Sequence, residues 1–505
     1  MTTSMNIKKF LFPSLLVCGL ALTVRLSRSA LAKPASDDAS YDALDAYVKQ
    51  QMRRLSIPGA YLAIVKGDEV VHLRGFGHAR PGGKEPTPQT PFVLGSTTKS
   101  FTALAVMQLV EAGKVELDAP VQRYLPWFRV ADPRASAEMT VRHLLYQTSG
   151  LPTLPGLTAL ADLDASPDAA ERQARALSTL KLTRAVGEAF EYSNLNYNLL
   201  GLIIESASGE TYEDYIQNHI FKPLEMCHSY TAQAEAQKNG LAVGHRYWFA
   251  IPVPARNLPM PRGSLASGQL ISCAEDMARY LIAHLNGGRY DDAQILSPEG
   301  IDELHRGVAD FNEMGVSVGK YAMGWICTEI GKKEIVWHGG NVPDFSSFIG
   351  LAPEQRKGVV LLLNADHYGL PPVLAEVGLN VTAMLAEEQP APIRLGFIPW
   401  AMRALLFIPL LQMIGVAATA RQFQNWRDGS AHRQSPRMSL FYFLLSLIPN
   451  VSLAALSLFL WSKGLLRYFK LFNPDMYWIA LVCGSLAGMW TFLRTVLMLR
   501  IVRKR

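Results

Sequence analysis

Cysteine is scarce in this sequence, with five residues among 505. Cys18 and Cys483 lie in apolar stretches, so Cys227, Cys273 and Cys327 can form at most one disulfide among them. The eleven histidines are scattered, and no cysteine–histidine spacing matches a zinc site. The sequence therefore excludes a disulfide-framed scaffold and gives no sign of a zinc module.

Internal repeats, low-complexity tracts and a basic patch interleaved with aromatic residues are also missing. The net charge of +6 comes largely from lysines and arginines beside apolar segments, so it gives no argument for nucleic-acid binding. About half of the residues are hydrophobic, and a protein of this length can bury a large core and hold more than one unit.

An apolar stretch near the N-terminus resembles an export signal. A lysine pair precedes the uncharged run FLFPSLLVCGLALTV, and the triplet ALA at 30–32 has the small-residue spacing of a signal-peptidase site. Two arginines between the run and that triplet leave an uncleaved anchor open. Residues 1–32 are therefore predicted to be a signal peptide or an N-terminal anchor.

Three more apolar segments lie near the other end, at 404–420, 440–461 and 476–493. Each approaches or reaches the roughly 20 residues that a membrane-spanning helix needs. A buried core helix is the alternative for any one of them. Three in succession, with basic linkers and flanking tryptophan and tyrosine, predict a membrane domain of three transmembrane helices at 394–505.

The basic residues orient these segments. Four arginines lie in the linker 421–437 and five basic residues lie in the C-terminal tail, but only three lie in the linker 462–475. Positively charged linkers stay in the cytoplasm, so the C-terminus is predicted to be cytoplasmic and residues 33–393 to lie outside. The sequence thus predicts a bacterial inner-membrane protein with a periplasmic domain.

Strand signals occur at both ends of the region 33–393. GAYLAIVKGDEVVHLRGFG predicts a hairpin turning at Lys66-Gly67-Asp68, and EIVWHGG, FSSFIGLAP and KGVVLLLNA predict later strands. A largely helical, loop-rich middle runs from about 120 to 310, and a helix is expected near 371–386. The prediction is an α/β domain with one sheet assembled from both ends, flanked by helices and joined to a helical region.

The segment FVLGSTTKSFTALAVMQLVEAG places Ser96 three residues before Lys99, at the start of an apolar helix. One interpretation makes Ser96 the helix N-cap, because a hydroxyl there satisfies a free backbone N–H. The other makes Ser96 a nucleophile, because residues three apart share a helix face and a lysine of lowered pKa can take its proton.

Two further stretches bear on this choice. Tyr192-Ser193-Asn194 lies in a loop before a helix, where Tyr192 could simply pack and Asn194 could cap the helix. His338-Gly339-Gly340 ends a predicted strand, where it could be an ordinary hairpin with a glycine turn. Each stretch alone favours the structural interpretation.

Together, in this order, the three stretches resemble the motifs of the serine β-lactamase and penicillin-binding-protein-like hydrolases, nearest the class C lactamase and D-aminopeptidase branch. That family has Ser-x-x-Lys, Tyr-x-Asn and Lys/His-x-Gly. The resemblance covers about residues 40–385 and implies a β-lactamase-like fold. Other similar stretches are RGFGHA, LDAPVQRYLP, VRHLLYQTSGLP, IFKPLEM and SGQLISCAEDMARYL.

The resemblance also implies roles for individual residues. Ser96 attacks a carbonyl and forms an acyl-enzyme, Lys99 takes its proton, and Tyr192, with a pKa lowered by neighbouring cations, relays a proton to the leaving group. The backbone N–H groups of Ser96 and Asn341 form an oxyanion hole. No cofactor or metal is implied. The substrate-binding residues implied are Asn194, which binds the acyl-side amide, His338, Gly340 and Asn341.

His338 stands where many lactamases have lysine, which weakens a clamp for a substrate carboxylate and argues against an efficient lactamase. The architecture of signal, hydrolase domain and three spans resembles membrane-anchored peptidases that mature nonribosomal-peptide or polyketide prodrugs by removing an acyl-D-amino-acid leader, often acyl-D-asparagine. The implied partners are an acylated peptide-like substrate, membrane lipid, and a transporter or a second copy of the protein. The alternatives are a cell-wall D,D-peptidase or lactamase-like hydrolase, an esterase, or a non-catalytic membrane sensor or export partner.

Overall fold

A computed structural model of the protein describes residues 37–255, 259–313, 316–366, 371–394, 398–427 and 436–503. There are two compact units, residues 1–43 and 44–505. Of the first unit, only residues 37–43 at the beginning of a helix are described, and the export segment predicted at 1–32 lies outside the described residues. The predicted catalytic groups and the C-terminal helices all belong to the second unit.

Helices make up about half of the described residues. Their bounds are α1 (Asp37–Leu55), α2 (Thr98–Glu111), α3 (Val121–Tyr124), α4 (Pro133–Glu138), α5 (Val141–Leu145), α6 (Thr153–Ala159), α7 (Ala169–Arg175), α8 (Asn194–Ser208), α9 (Tyr212–Ile216), α10 (Gln233–Lys238), α11 (Leu265–Gly268), α12 (Ala274–Leu285), α13 (Pro298–His305), α14 (Pro371–Leu385), α15 (Ile398–Ala404), α16 (Phe407–Arg427), α17 (Pro436–Ser462), α18 (Leu465–Phe472) and α19 (Pro474–Arg503).

The strands lie mainly at the two ends of the hydrolase-like region. Their bounds are β1 (Gly59–Lys66), β2 (Glu69–Gly77), β3 (Phe92–Val93), β4 (His245–Trp248), β5 (Ile251–Pro254), β6 (Ile271–Ser272), β7 (Arg289–Tyr290), β8 (Ala293–Gln294), β9 (Ala309–Glu313), β10 (Val316–Tyr321), β11 (Ile326–Ile330), β12 (Lys333–Val342), β13 (Phe345–Ala352), β14 (Lys357–Leu363) and β15 (Ala365–Asp366).

Eight strands form one antiparallel sheet in the order β2-β1-β14-β13-β12-β11-β10-β9. β1 and β14 are far apart in the sequence but pair directly, with Leu62 opposite Leu361. β13 is buried along its whole length, because helices cover both faces of the sheet there. The predicted sheet assembled from both ends of the domain is confirmed.

The two faces of the sheet carry different helices. A side chain added at Gly350 would contact Thr382 of α14, whereas one added at Gly358 would contact Leu281 of α12. Gly358 lies opposite Leu351, the neighbour of Gly350, and successive strand residues point to opposite faces. α14 and α12 therefore cover opposite faces, and α2 joins the α12 side by stacking Phe101 on Tyr280.

The described part of the C-terminal region contains five helices, α15 to α19. By length and apolar composition, two stretches of the described residues could cross a membrane, Pro399–Arg421 and Pro474–Val496. The middle segment predicted as a span lies within α17, where only Asn450–Ser462 stands out as a shorter apolar helix. Three transmembrane helices therefore remain a prediction.

The segment 462–475 was predicted only as a linker, but it contains the amphipathic helix α18. Its apolar side, formed by Tyr468, Leu471 and Phe472, packs against Leu157 of α6 and against Leu160, which follows α6. A side chain added at Gly156 of α6 would touch the backbone nitrogen of Asn194. The C-terminal region thus packs, through α18, against α6, and α6 borders the predicted active site.

Candidate active site

Ser96 lies in a short 3₁₀ turn, Gly95–Thr97, that leads from β3 into α2. Thr97, not Ser96, occupies the N-cap position of α2, and no side chain caps this end. The N-cap interpretation of Ser96 is therefore wrong. The hydroxyl instead lies 3.0 Å from Nζ of Lys99, one turn along the same helix face.

Lys99 is completely buried, and its amine has three neighbours within hydrogen-bonding distance. Nζ donates to Oδ1 of Asn194 at 2.8 Å and to the carbonyl oxygen of Ser267 at 2.6 Å. Both partners are oxygens that only accept, whereas the third neighbour, the Ser96 hydroxyl, can donate or accept.

These partners can also serve a neutral amine that acts as a base toward Ser96. A neutral amine has two N–H bonds and one lone pair, so the two accepting oxygens use its hydrogens and direct the lone pair at Ser96 Oγ. Burial lowers the pKa of Lys99 well below its usual value, because a charged group is poorly solvated there. Lys99 is therefore placed to take the Ser96 proton.

Tyr192 lies on the other side of this amine, with its ring centroid 5.0 Å from Lys99 Nζ. Burial raises the pKa of the Tyr192 phenol, and a hydrogen bond with Ser96 lowers it by less. The expectation that neighbouring cations lower this pKa is therefore wrong, because burial of the phenol raises it by more than any neighbour lowers it. A neutral phenol is suited to give a proton to a leaving group rather than to remove one from Ser96.

His338 lies on β12 and is almost fully buried beside Tyr192, with 6.5 Å between the ring centroids. Its Nδ1 donates to the Gly339 carbonyl oxygen at 2.6 Å, and its Nε2 lies 3.4 Å from the Tyr321 hydroxyl. Burial, and secondarily Lys99, lowers the pKa of His338 to about 3. The ring is neutral, so it supplies no positive clamp for a carboxylate.

β12 has one free edge beside the serine turn. β11 pairs with β12 only up to Trp337, whereas β13 pairs with it as far as Val342. A side chain at Gly340 would collide with the Leu94 carbonyl and reach 3.0 Å from the Ser96 nitrogen. Only glycine permits this close approach, which brings the backbones of Ser96 and Asn341, the two predicted oxyanion donors, onto adjacent segments.

The side chain of Asn341 is already engaged. Its Nδ2 donates to Oδ1 of Asp366 at 2.7 Å and to the Ser346 hydroxyl at 3.2 Å. Asn341 is predicted to bind the substrate, but its side-chain nitrogen is already used within the protein. The structure leaves the backbone N–H as the contribution of Asn341.

Several residues that support the site had no signal of their own in the sequence. The Ser267 carbonyl binds Lys99 but is a backbone group in the segment SGQL. The Ser347 hydroxyl lies 3.0 Å from the Thr97 hydroxyl and also donates to the Leu94 carbonyl, which fixes the serine turn to β13. The family-like stretch SGQLISCAEDMARYL was the one indication that the Ser267 segment matters.

One group of side chains in the described residues could hold a metal ion. His228, Cys273 and Asp276 place one potential ligand atom each within 4.8 Å of one another. Asp276 already accepts hydrogen bonds from the His228 backbone and from Ser229, and the Cys273 sulfur accepts one from the backbone of Asp276 at the N-cap of α12. These contacts explain the cluster as a helix cap.

Cys227, Cys273, Cys327 and Cys483 are all free thiols, so the disulfide that the sequence permitted among the first three does not form.

Comparison with known proteins identifies the family. Residues 44–381 match the family described as Beta-lactamase. The chain belongs to the beta-lactamase family. The resemblance drawn from the three motifs is thereby confirmed, and the turn, lysine and edge strand described above are the segments that carry those motifs.

Individual relatives place the protein more finely. Protein flp of Staphylococcus aureus (strain COL) is 29% identical over 346 residues, which cover 68% of this chain and 66% of that protein. Unguisins hydrolase ungD' of Aspergillus campestris is 29% identical over 333 residues, which cover 63% of this chain and 61% of that protein. The chain thus spans just under two thirds of the length of these relatives.

A solved structure agrees with the fold. The octameric penicillin-binding protein homologue from Pyrococcus abyssi is 30% identical, with a TM-score of 0.60, over 72% of this chain and 81% of that chain. The C-terminal helices α15 to α19 of this beta-lactamase-family protein lie outside the residues matched to the family.

Replacing Tyr192 with phenylalanine should lower the rate of substrate hydrolysis on the order of 10²–10⁴-fold, the usual range for a general acid or base. Tyr197→Phe is a matched control, because its ring also lies near Lys99, at 5.6 Å, but its hydroxyl donates to the Leu145 carbonyl. Steady-state rates of both variants test the assignment. Full activity of Tyr192→Phe would require another proton donor.

Proposed function

We propose that this protein is a membrane-anchored serine peptidase of the periplasm that removes an N-acyl-D-amino-acid leader from a peptide or polyketide prodrug. The main support for a serine hydrolase is the buried Lys99 amine, which lies within hydrogen-bonding distance of two accepting oxygens and of the Ser96 hydroxyl. A non-catalytic sensor or export partner has no need to keep a buried lysine amine within hydrogen-bonding distance of a serine hydroxyl in this way.

The reaction follows from these contacts. Ser96 Oγ attacks the leader's carbonyl carbon while its proton passes to Lys99 Nζ, and the oxygen that becomes negative accepts hydrogen bonds from the backbone N–H groups of Ser96 and Asn341. Each such donor contributes about 3 kcal/mol. The leaving amine takes a proton from Tyr192, which regains one from Lys99. Water then cleaves the acyl-enzyme, and Asn194 positions the acyl-side amide.

The character of the substrate is supported by an open groove that begins one residue past Asn341. Its lining is mostly apolar and includes Val342, and it also contains the polar residues Gln233, Gln269 and Asp344. Phe472 of α18 forms part of its wall. A groove of this lining suits an acyl group, and the neutral His338 is less suited to the carboxylate of a β-lactam or a D-Ala-D-Ala peptide.

Membrane anchoring is supported by the two long apolar stretches and by the distribution of basic residues. We propose that α16, α17 and α19 span the inner membrane, that the C-terminus is cytoplasmic and that the catalytic domain is periplasmic. A relative named as a hydrolase of unguisins supports a natural-product peptide as the substrate class. Membrane lipid, a transporter and a second copy of the protein are the proposed partners.

The test is a substrate panel offered to the purified full-length protein in detergent. It contains matched acyl-D-Asn and acyl-L-Asn anilides with a long acyl group, the D-Asn anilide with an acetyl group instead, a chromogenic cephalosporin and an acyl-D-Ala-D-Ala peptide. The D-Asn anilide with the long acyl group should react fastest, since a site that binds the acyl amide and the acyl tail together rejects the mirror image strongly. Preference for the last two compounds would favour the cell-wall or lactamase alternative, and equal rates on the two enantiomers would contradict a leader peptidase.

A further inference from the structure

The hairpin formed by β4 and β5 presents an apolar tip to its surroundings. Ile251 is 58% exposed and Val253 is 39% exposed, and the segment from Tyr247 to Ala255, YWFAIPVPA, contains no charged residue. The two residues at the turn, Phe249 and Ala250, both have positive φ angles, of 51° and 62°.

This backbone conformation is unusual for the residues that adopt it. Hairpin turns with two positive φ angles normally use asparagine and glycine, because a side chain is strained there. Phe249 and Ala250 accept that strain, which places an aromatic and a small apolar residue at the tip. A tip made only for solvent would have no reason to avoid the usual polar residues, so the segment indicates contact with an apolar environment.

The position of the hairpin identifies that environment. The backbone N–H of Phe249 donates to Oδ2 of Asp475 at 2.9 Å. Asp475 is fully buried and lies in the first turn of α19, at the end where the apolar stretch Pro474–Val496 begins. The hairpin tip is therefore held beside the end of a helix that is long and apolar enough to cross a membrane.

We propose that the tip of this hairpin, residues 248–253, inserts into the outer surface of the lipid bilayer. This inference rests on the membrane anchoring in the proposed function. If α19 spans the bilayer, its first turn lies at the outer boundary, and the hairpin hydrogen-bonded to it lies at the same level. Aromatic and aliphatic side chains without charge are favoured at that boundary, where glycerophospholipid headgroups meet the hydrocarbon tails.

The insertion also gives the catalytic domain a fixed height above the membrane. α18 precedes α19 directly in the sequence, the hairpin contacts α19 through Asp475, and Phe472 of α18 lines the groove that also contains Val342. A second contact with the bilayer, besides the spanning helices, restrains the domain from tilting. A substrate whose acyl tail lies in the lipid can then reach the groove without leaving the membrane surface.

The direct test measures the depth of single positions in the full-length protein. Cys227, the exposed thiol among the described cysteines, is replaced by serine, and an environment-sensitive fluorophore is attached at Ile251→Cys or at the control Val308→Cys. Val308 is also apolar and 46% exposed, but it lies before β9, at the far end of the large sheet. The protein is placed in vesicles of phosphatidylethanolamine and phosphatidylglycerol that carry a shallow nitroxide quencher.

The fluorophore at position 251 should be quenched roughly threefold more strongly than the fluorophore at position 308. The fluorescence of the label at position 308 should be as strong as in lipid-free detergent solution. Equal, weak quenching at the two positions would overturn the inserted hairpin. Protein that does not float with the vesicles at all would instead contradict the anchoring on which the inference rests. The two failures are therefore distinguishable, and neither depends on catalysis.

A functional arm uses the double variant Ile251→Asp/Val253→Asp against Val308→Asp. In vesicles, the hairpin variant should hydrolyse a substrate with a long acyl group about tenfold more slowly, while its rate on the soluble acetyl analogue stays within twofold of the wild type. A parallel loss on both substrates would show damage to the fold and contradict a role at the lipid surface. Unchanged rates on both would contradict the functional consequence of insertion.

Discussion

Ser96→Ala should have no measurable hydrolase activity and should not react with a serine-directed phosphonate. The hydroxyl is the group that Lys99 contacts at 3.0 Å, and alanine leaves no atom that could form the ester intermediate. The substitution removes one oxygen from a residue that does not cap the helix, so the fold should be retained. Turnover and phosphonate labelling of the purified full-length variant measure the effect.

Ser206→Ala is a suitable control for this variant. Ser206 also lies on a helix, and its hydroxyl donates to the Tyr124 carbonyl on the outside of the domain. The control should react like the wild type. Hydrolysis by Ser96→Ala at more than a small fraction of the wild-type rate would show that another residue is the nucleophile.

Replacing Lys99 with methionine should cost on the order of 10²–10⁴ in the rate of acylation. Methionine fills a similar buried volume without a basic amine, so Ser96 loses its base, and Asn194 Oδ1 and the Ser267 carbonyl lose their donor. Leaving such buried acceptors unpaired costs roughly 1–3 kcal/mol each, so the free energy of unfolding should also fall. Lys114→Met, at an exposed lysine after α2, should change neither quantity.

The pH dependence separates the chemical effect from the structural one. The amine accepts a proton only when it is neutral, so kcat/KM should fall on the acid side of the Lys99 pKa. Burial lowers that pKa well below the usual lysine value, and the wild type should therefore stay active far below pH 10.5, the ordinary lysine pKa. The residual activity of Lys99→Met should lack this acid limb. The same acid limb in both proteins would assign the base to another group.

Lys99 and Tyr192 act on the same proton, so their combined substitution should cost less than the product of the two single effects. Multiplicative losses would mean that the two residues serve independent steps.

Most strands of the fold were predictable because each is encoded by a short run of neighbouring residues. The apolar, β-branched runs GAYLAIVK and KGVVLLL predict strands, and their pairing as β1 and β14 follows once both are placed in one sheet. The motif residues Ser96, Lys99 and Asn194 could be placed together only through the family resemblance. Spacing alone favoured Ser96 as a helix cap.

The electrostatics of the site could not be predicted in the same way. The sequence led to an expectation that cations lower the pKa of Tyr192, but burial raises it, and burial depends on packing that involves distant segments. The engagement of Asn341 with Asp366 depends on the adjacency of β12 and β13 to β15, which no local pattern encodes. α18 was missed because eight residues of mixed polarity resemble a linker.

Mass spectrometry of the protein after reaction is the most direct test of the central claim that Ser96 forms an acyl-enzyme with Lys99 as its base. Full-length protein is treated with a slowly deacylating acyl-D-Asn anilide or with the phosphonate, digested, and the modified peptide sequenced. We expect a single adduct, on Ser96, that is absent from Ser96→Ala and forms far more slowly in Lys99→Met. An adduct on a different residue, or one that forms equally fast without Lys99, would contradict the account.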